Sequence, residues 1–396
     1  MNTILNRCLE EVDGRFANMV ARRRMLHRFP ELSYHEEETA KLVYDQLVSL
    51  QIEARAKVGG NGVVGTIYGG RPGPTVALRA DMDALPIQDE KQCDYASQRP
   101  GVMHACGHDG HTAVLLEVAA ILQQYRQHLN GNVRLIFQHA EEIAPGGAKP
   151  MIEAGALDGV DAVYGIHLWT PLPVGVVATR PGPMMAASDE FNIVIEGKGG
   201  HGGLPHETVD SVLVGAELTV SLQSIVSRSV NPVDPAVVSV GMFHAGTGFN
   251  VIAEQASLTG TVRTFSEATR QLIYSRLQEL ATHTAAKHGA KATLNYKWGY
   301  PVVVNDAEEA GEALRVAEAL FGSAMVQEAQ LIMVAEDFAY YLQHVPGTFL
   351  FVGAGNEEKG IIYPHHHPRF DLDEESLRTA AKLLIALAFR RLNGTI

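Results

Sequence analysis

The apolar residues in the first half of the chain alternate between helical spacing and short continuous runs. Residues 63–68 and 75–80 are β-branched runs separated by a turn rich in Gly and Pro, which predicts two strands. Upstream, Ser33 and Glu36 have the spacing of a capping box, and the apolar residues that follow repeat at helical intervals. The pattern therefore predicts a helix followed by a pair of strands.

The same alternation continues after these strands. An apolar-periodic helix is predicted over 112–129, and strands are predicted over 133–137 and 162–166. Helices that alternate with apolar strands indicate an α/β sheet, in which ligands collect beyond the strand ends. Acidic side chains or an imidazole follow two of these strands, so we expect a site there.

The pattern changes near residue 183, where half-exposed strands replace the apolar runs. Their order with the helices is β-α-β-β-α-β, which is typical of a small α+β domain with an antiparallel sheet. We expect such a domain at 183–299, inserted into a larger domain made of 1–182 and 300–396. The predicted elements are a strand at 191–195, a helix at 209–227, strands at 237–243 and 256–265, a second helix, and a strand at 293–298.

Length and charge limit the function classes. At 396 residues the chain is longer than one core usually supports, which favours two domains. The net charge is −13, and the longest run of Lys and Arg is residues 22–24. We therefore expect neither nucleic acid nor a membrane surface as a partner.

The cysteines and the N-terminal residues bear on location. Cys8, Cys93 and Cys106 are an odd number without Cys-x-x-Cys spacing, so a disulfide framework is not expected and a reducing compartment fits. The first residues lack the apolar core of a signal peptide, and no apolar run reaches the length of a membrane span. We expect a cytoplasmic protein.

The most concentrated chemistry lies at residues 104–111, where a thiol, three imidazoles and a carboxylate are flanked by glycines. Buried polar groups each need a partner, so this composition is a poor core and a good metal site. Cys106 and His108 are spaced so that both side chains can face one point, which suits zinc, manganese, nickel or cobalt. A chance group of surface histidines beside one buried cysteine is the alternative.

Further candidate ligands follow predicted strands. Adjacent acids are usually solvated, but Glu141 and Glu142 come directly after an apolar strand. One carboxylate of such a pair can bind a metal while its neighbour acts as general base. His167 alone would more often be a structural histidine, as would any one member of 365–367. Cys106 beside a histidine also leaves open a cysteine hydrolase, in which the thiol is the nucleophile.

Together these motifs resemble the M20 metallopeptidases, and within them the branch of hippurate hydrolases, N-acyl-amino-acid amidohydrolases and auxin-conjugate hydrolases. The resemblance spans nearly the whole chain. It implies a mixed-sheet α/β metallohydrolase domain with an inserted α+β, ferredoxin-like domain for lid closure and dimerisation. The segments that carry it are 23–27, 30–33, 79–86, 104–111, 141–142, 199–206, 336–338 and the His-x-Pro loop near the C-terminus.

The resemblance also implies a site with two divalent ions per subunit and Glu141 as general base. For the last ligand we choose His366, because the branch's His-x-Pro-x-[FY] pattern fits residues 366–370; His365 and His367 are the alternatives. The implied metal ligands are Cys106, His108, Glu142, His167 and His366.

In the inserted domain the resemblance assigns catalysis to His201 and substrate binding to Asn250 and Arg263. The family pairs such domains across a two-fold axis, with the histidine reaching into the partner's site, so a homodimer is expected. Our candidates for that surface are strand 191–195, expected to be an exposed sheet edge, and the apolar face of helix 209–227; for both, ordinary core is the alternative. Gly202–Gly203 and Ala253 depart from the residues usual in the family.

The expected reaction is metal-dependent hydrolysis of an N-acyl amino acid to a carboxylic acid and a free amino acid. The sequence specifies neither the native metal among zinc, manganese, nickel and cobalt nor the preferred acyl group. A metallo-dipeptidase or carboxypeptidase with the same site is the main alternative, and a cysteine hydrolase using Cys106 is a more remote one.

Overall fold

The structure is a computed structural model that describes residues 3–394. Its helices are α1 (Thr3–Gly14), α2 (Phe16–Arg28), α3 (Glu37–Ser49), α4 (His108–Gln124), α5 (Ala148–Glu153), α6 (Ser211–Ser224), α7 (Glu267–Lys287), α8 (Ala307–Phe321), α9 (Ala339–Leu342) and α10 (Glu375–Asn393). Its strands are β1 (Glu53–Val58), β2 (Gly62–Tyr68), β3 (Arg71–Asp81), β4 (Asn130–Gln138), β5 (Ala162–Pro173), β6 (Val177–Thr179), β7 (Gly182–Met185), β8 (Ala187–Glu196), β9 (Gly200–His201), β10 (Ala236–Ala245), β11 (Val251–Ile252), β12 (Gln255–Thr264), β13 (Lys291–Lys297), β14 (Val303–Asn305), β15 (Val326–Glu328) and β16 (Gly347–Gly355).

The chain forms two compact units. The large unit contains the residues through Met184 together with 304–330 and the residues from Asp337 onward, and the small unit contains 185–303 and 331–336. The second segment of the small unit was assigned from sequence to the other domain. It groups with the small unit because strand-like backbone hydrogen bonds hold it there, including those from the Ala186 N–H to two of its carbonyls.

The large unit is built on an eight-stranded sheet with the order β1-β2-β4-β3-β5-β16-β6-β15. The central strands β4, β3, β5 and β16 are parallel. Strands β1 and β2 pair antiparallel with their neighbours, and β6 pairs antiparallel with β16 and parallel with β15. Strands buried on both faces carry continuous apolar runs, as β16 does over its whole length. The predicted mixed α/β fold is confirmed.

Helix α4 is part of the core, and nearly every residue from its start to Leu122 is buried. It begins at His108, earlier than the predicted start at Thr112. The prediction missed the first turn because its side chains are polar and add nothing to an apolar period. Gly107 precedes the helix with a φ of 89°, a left-handed conformation that favours glycine.

The predicted capping box is wrong. Helix α3 begins at Glu37, and neither Ser33 nor Glu36 caps it with a side-chain hydrogen bond. The hydroxyl of Ser33 instead donates to Asp83 at 2.6 Å, and the buried carboxylate of Glu36 accepts the N–H of Ala140 at 2.8 Å. Both side chains therefore brace the carboxyl ends of central strands.

The small unit has a four-stranded antiparallel sheet with the order β10-β12-β8-β13, and apolar side chains of α6 and α7 form a core with it. The antiparallel sheet agrees with the predicted β-α-β-β-α-β order. The expectation of an exposed edge at 191–195 is wrong, because β8 lies between β12 and β13. Edge strand β10 instead exposes Met242 and Phe243, and α6 exposes Val220.

Among the described residues, none of the helices combines the length and the apolar character that a bilayer span requires.

Candidate metal centre

The parallel strands of the large unit bring polar residues to one edge of the sheet. Asp81, at the end of β3, lies beside Gln138, at the end of β4, and the acids Glu141 and Glu142 follow directly. Strand β5 pairs with β3 through Gly165 opposite Arg79, so His167 comes level with Asp81. This edge is where ligands collect in sheets of this kind.

Five side chains from four segments come together there. The Cys106 sulfur lies 3.5 Å from Nε2 of His167, and Nε2 of His366 lies 3.3 Å from a Glu142 oxygen. Nε2 of His108 lies 3.9 Å from the other Glu142 oxygen. The possible ligand atoms of Cys106, His108 and His167 all lie within 4.8 Å of one another, as do those of Cys106, Glu142 and His366 and those of His108, Glu141 and Glu142.

His108 is oriented by Asp83. Its Nδ1 lies 2.9 Å from the Asp83 carbonyl and 3.2 Å from a carboxylate oxygen of the same residue. These contacts direct Nε2 toward the cluster. A carboxylate behind a histidine is the usual way in which proteins hold a metal-binding imidazole in the correct tautomer and orientation.

His167 is oriented in the same manner by its own segment. Its Nδ1 lies 2.9 Å from the carbonyl of Leu168, so Nε2 faces Cys106. Both residues are almost completely buried. The geometry at this edge therefore leaves one nitrogen of each of the two imidazoles for the cluster.

Two other nearby histidines are occupied elsewhere. His111 directs Nδ1 at Asp81, 2.6 Å away, and its Nε2 accepts the N–H of Leu168, so both ring nitrogens are used. His365 stacks on Trp169 and its Nε2 lies 3.0 Å from the Leu168 carbonyl. Burial lowers the pKa of His365 to about 3. Both ring nitrogens of His111 and one ring nitrogen of His365 therefore already have partners in the fold.

Of the three late histidines, only His366 joins the candidate ligands. Its backbone is left-handed, with a φ of 65°, and its N–H donates to the Ala105 carbonyl beside Cys106. His367 instead stacks on Tyr363, and its Nδ1 accepts the N–H of Arg369. The choice made from the sequence pattern thus coincides with the residue that the fold brings to Glu142.

The electrostatics of the cluster disfavour a free thiolate. Burial raises the pKa of the Cys106 thiol well above its usual range, and the neighbouring carboxylates, Glu142 first, raise it further. A cysteine nucleophile needs the opposite environment, with a lowered pKa and nearby positive charge. Burial alone would lower the pKa of His108, but Asp81 and Asp83 raise it to about 10. The site is thus built to attract positive charge.

The residues fit a divalent metal ion. Nε2 of His108 and Oε1 of Glu142 are buried, and neither has a hydrogen-bond partner among the described residues. Buried polar atoms are normally paired, so two such atoms facing each other fit a cation between them. Imidazole, carboxylate and thiol are a ligand set for zinc, manganese, cobalt or nickel.

In the small unit the structure brings His201 and Asn250 together. Strand β9 pairs with β11, with His201 opposite Val251, and the Gly202 N–H donates to the Asn250 carbonyl at 2.8 Å. The His201 side chain is exposed, and its Nδ1 accepts the N–H of Gly203 at 2.9 Å. The two glycines that depart from the family pattern therefore take part in holding this hairpin.

Arg263 lies at the other end of β12. Its Nε donates to the carbonyl of Met333 at 3.2 Å, and its Nη1 donates to that of Val262 at 3.1 Å. The end of β12 nearest to Asn250 is Gln255. At about 3.4 Å per residue, roughly 27 Å of strand separates Gln255 from Arg263. The small unit therefore keeps its proposed carboxylate-binding residue well apart from His201.

The sequence did not predict that Asp81 and Asp83 would orient histidines. Asp83 orients His108, accepts the hydroxyl of Ser33 and also accepts the N–H of Glu142 at 3.0 Å. Asp81 fills the same role for His111. A signal was present, because both acids end an apolar strand, but the pattern could not say which histidines they would face.

Known proteins resemble this chain over nearly its whole length. Residues 77–390 match the profile of peptidase family M20/M25/M40. An N-acyl-L-amino acid amidohydrolase of Geobacillus stearothermophilus is 46% identical over 315 residues, which are 78% of this chain and 84% of that one. Thermostable carboxypeptidase 1 of Saccharolobus solfataricus is 42% identical over 371 residues, 93% of this chain and 94% of the other.

A solved structure supports the same relationship. The crystal structure of the Bacillus subtilis YXEP protein, a dinuclear metal binding peptidase, superposes with a TM-score of 0.85 at 38% identity. The match covers 96% of this chain and 99% of that one.

Proposed function

Since the chain belongs to peptidase family M20/M25/M40 and is a hydrolase, we propose that it removes the acyl group from N-acyl amino acids. The observation that carries the proposal is the cluster of imidazole, thiol and carboxylate ligands, with two orphaned buried atoms beside a second carboxylate. The Geobacillus relative acts on N-acyl-L-amino acids according to its name, and it is 46% identical.

The cluster would hold two divalent ions, as the related YXEP protein is a dinuclear metal binding peptidase. Bound ions of this kind polarise a carbonyl and lower the pKa of a water toward about 7. The choice among zinc, manganese, nickel and cobalt depends on metal supply as well as on ligand chemistry. The proposed ligands are Cys106, His108, Glu142, His167 and His366.

Glu141 is the proposed general base. Its carboxylate is buried and lies in one group with His108 and Glu142. It would take a proton from the attacking water and later deliver it to the nitrogen of the leaving amino acid. A carboxylate beside the ligands can do this without itself binding the metal.

The small unit would supply contacts to the rest of the substrate. Arg263 would bind the free carboxylate of the amino acid through a two-pronged pair of hydrogen bonds. His201 would stabilise the negative charge that develops on the acyl oxygen, and Asn250 beside it would bind the substrate. One substrate molecule cannot span the roughly 27 Å of strand between these two ends of β12.

We therefore propose a homodimer in which His201 reaches into the partner's site, so that the His201 and the Arg263 that contact one substrate come from different copies of the chain. The exposed apolar residues of edge strand β10 and helix α6 support such an interface, because an unpaired edge and exposed valines are stabilised when a second copy covers them. Met242, Phe243, Val212, Leu213 and Val220 are the exposed apolar residues of these two elements.

A carboxypeptidase activity is the second candidate. The Saccharolobus relative carries that name and is 42% identical over 93% of this chain. A peptide presents the same free carboxylate and the same amide as an N-acyl amino acid. The two functions differ only in what lies on the acyl side of the bond.

A substrate panel on metal-reconstituted protein tests the proposal. Benzoylglycine, acetylated amino acids and dipeptides are compared before chelation, after chelation, and after zinc, manganese, nickel or cobalt is restored. We expect N-acyl amino acids to give the highest kcat/KM, with activity lost on chelation and regained with metal. Preference for dipeptides would establish the second candidate, and activity that survives complete metal removal would end the proposal.

The cysteine hydrolase alternative is tested with a thiol alkylator. As a ligand, Cys106 should react slowly when metal is bound and quickly after chelation. Equal rates in the two forms, with loss of activity in both, would favour a nucleophilic thiol.

We also propose a cytoplasmic location, since Cys8, Cys93 and Cys106 are all free cysteines and a ligand thiol must stay reduced. Fractionation of cells that express the protein, with a thiol count on the isolated protein, checks this.

A further inference from the structure

Of the non-glycine residues in the large unit that hold a left-handed backbone, two are bound by one carboxylate. Tyr34 has a φ of 68° and Ala140 a φ of 51°. The N–H of Tyr34 donates to Glu36 at 2.9 Å, and the N–H of Ala140 donates to the same oxygen at 2.8 Å. Glu36 itself is completely buried. Such backbone conformations cost free energy and persist where the surroundings hold them, often at ligand sites.

The strained segments carry apolar side chains to the candidate base. Ala140 immediately precedes Glu141, and Ile143 immediately follows Glu142. The hydroxyl of Tyr34 donates to the Ile143 carbonyl at 3.0 Å, so the two residues are in direct contact. Their side chains remain 40% and 48% exposed, respectively. We call these two exposed side chains, one of which directly follows the acidic pair in the chain, the apolar wall.

Isolated exposed apolar residues are common and need no explanation. These two differ because the buried carboxylate of Glu36 holds the backbone of Tyr34 and that of Ala140, and the Tyr34 hydroxyl holds the carbonyl of Ile143. The side-chain amide of Asn61 adds a further bond to the Glu36 carboxylate at 3.2 Å and one to the Tyr34 carbonyl at 3.1 Å. Because its backbone is held by hydrogen bonds and its side chains are exposed, the apolar wall is suited to contact a ligand.

The charge around the wall selects the part of the substrate that it can contact. Burial raises the pKa of the Tyr34 hydroxyl, and the carboxylates of Asp83 and Glu36 raise it further. The hydroxyl therefore lies near negative charge. An anionic amino-acid carboxylate is repelled by such surroundings. An uncharged apolar group is not, and it gains from burial against Tyr34 and Ile143.

We propose that Tyr34 and Ile143 form the subsite for the acyl side of the substrate and favour a bulky or aromatic acyl group, with Glu36 as the positioning residue of that subsite. This inference rests on the proposed function and adds a substrate preference to it. On the peptide alternative, the same wall would contact the side chain on the N-terminal side of the cleaved bond.

The test is the ratio of kcat/KM for benzoylglycine to kcat/KM for acetylglycine, measured with metal-loaded protein. We expect Tyr34→Ala to lower this ratio about tenfold, the order of effect of losing one aromatic contact. Ile143→Ala should lower it in the same direction. Tyr34→Phe, which keeps the ring and loses the hydroxyl, should stay within about twofold of the wild type.

Tyr68→Ala is the matched control, because Tyr68 is also an exposed tyrosine of the large unit. It lies at the end of β2, away from Glu141 and Glu142. Its ratio should equal that of the wild type. A variant that is merely destabilised loses activity on both substrates together, so the ratio separates a subsite from a structural role. If Tyr34→Ala does not fold, Ile143→Ala carries the test.

The outcomes separate the subsite from the reaction. If the wild type cleaves both substrates and the ratio is unchanged in the alanine variants, the subsite is wrong and the proposed function stands. If the metal-loaded wild type cleaves neither substrate, the proposed function fails and the subsite fails with it.

Discussion

The candidate metal cluster and the His201 hairpin place reactive imidazoles in opposite environments. In the large unit, His108 and His167 are buried, and each has one ring nitrogen fixed by an oxygen of the fold. In the small unit, His201 is exposed, and its only fixed nitrogen is bound by a neighbouring backbone N–H. The first arrangement has all of its proposed ligands within one chain. The second leaves the His201 side chain exposed.

This difference follows from what each region must bind. A metal ion binds best to several ligands that are already held in one geometry. The side chains that orient those ligands are therefore buried, despite the free-energy cost of desolvating them. A group that contacts substrate from a second subunit has to remain accessible until the two copies meet. Burial is therefore what we expect of the proposed metal ligands, and exposure is what we expect of a residue proposed to act across an interface.

The largest expected effect is on the buried side of the comparison. Glu141→Gln keeps the shape of the proposed base and removes its ability to take a proton, so turnover should fall by about two orders of magnitude or more. Metal content should persist, because Glu141 is not among the proposed ligands. Kinetics with metal analysis on the same sample check both points, with the exposed Glu153→Gln as control. Loss of metal together with activity would make Glu141 a ligand.

The second prediction concerns Asp83, which orients the proposed ligand His108. Asp83→Asn removes the carboxylate that orients His108, and changes of this kind cost about 10- to 100-fold in metal affinity. Competition between the protein and a chelator of known affinity measures the change. Asp158→Asn, at an exposed position, is the control. Unchanged affinity would mean that the Asp83 carbonyl alone holds the imidazole.

On the small unit, Arg263 should be sensitive to geometry and not only to charge. Arg263→Lys keeps the charge but cannot form two parallel hydrogen bonds with a carboxylate. We expect kcat/KM for N-acyl amino acids to fall about tenfold more than for the corresponding amides, a difference of roughly 1.4 kcal/mol. Arg276→Lys, on α7 of the same unit, is the matched control. An equal loss on both substrate classes would remove Arg263 from carboxylate binding.

The smallest expected signal tests whether the exposed hairpin acts across an interface. Glu141→Ala and His201→Ala homodimers should each be nearly inactive, but a hybrid contains one site with both residues intact. Random exchange makes half of the dimers hybrids with one working site of two, so an equimolar mixture should recover roughly a quarter of wild-type activity.

Subunit exchange must be demonstrated independently in that mixture, for example by mass spectrometry of differently tagged chains. Mixing either variant with itself is the control. Exchange without any recovery would assign His201 to its own chain or remove it from catalysis.

The sequence by itself determined the chemistry and the fold class. The thiol and imidazoles of 104–111 and the acids after β4 are local features of the sequence. Apolar periodicity also predicted the strand that brings those acids to a sheet edge. The resemblance to M20 enzymes is confirmed, and so are the mixed α/β fold and the class of hydrolase. Local composition is enough for these conclusions because a ligand's chemistry belongs to its own side chain.

Only the tertiary structure decided which of these side chains have an atom left to bind a metal. His111 resembles His108 in sequence, yet Asp81 and the Leu168 backbone occupy both of its nitrogens. Glu36 was predicted to take part in a helix cap, yet its carboxylate accepts the backbone N–H groups of Tyr34 and Ala140. Each outcome depends on a partner far away in the chain, brought near by the order of strands in the sheet. Spacing along the sequence carries no record of that order, so hydrogen-bond partners become known only when the sheet is assembled.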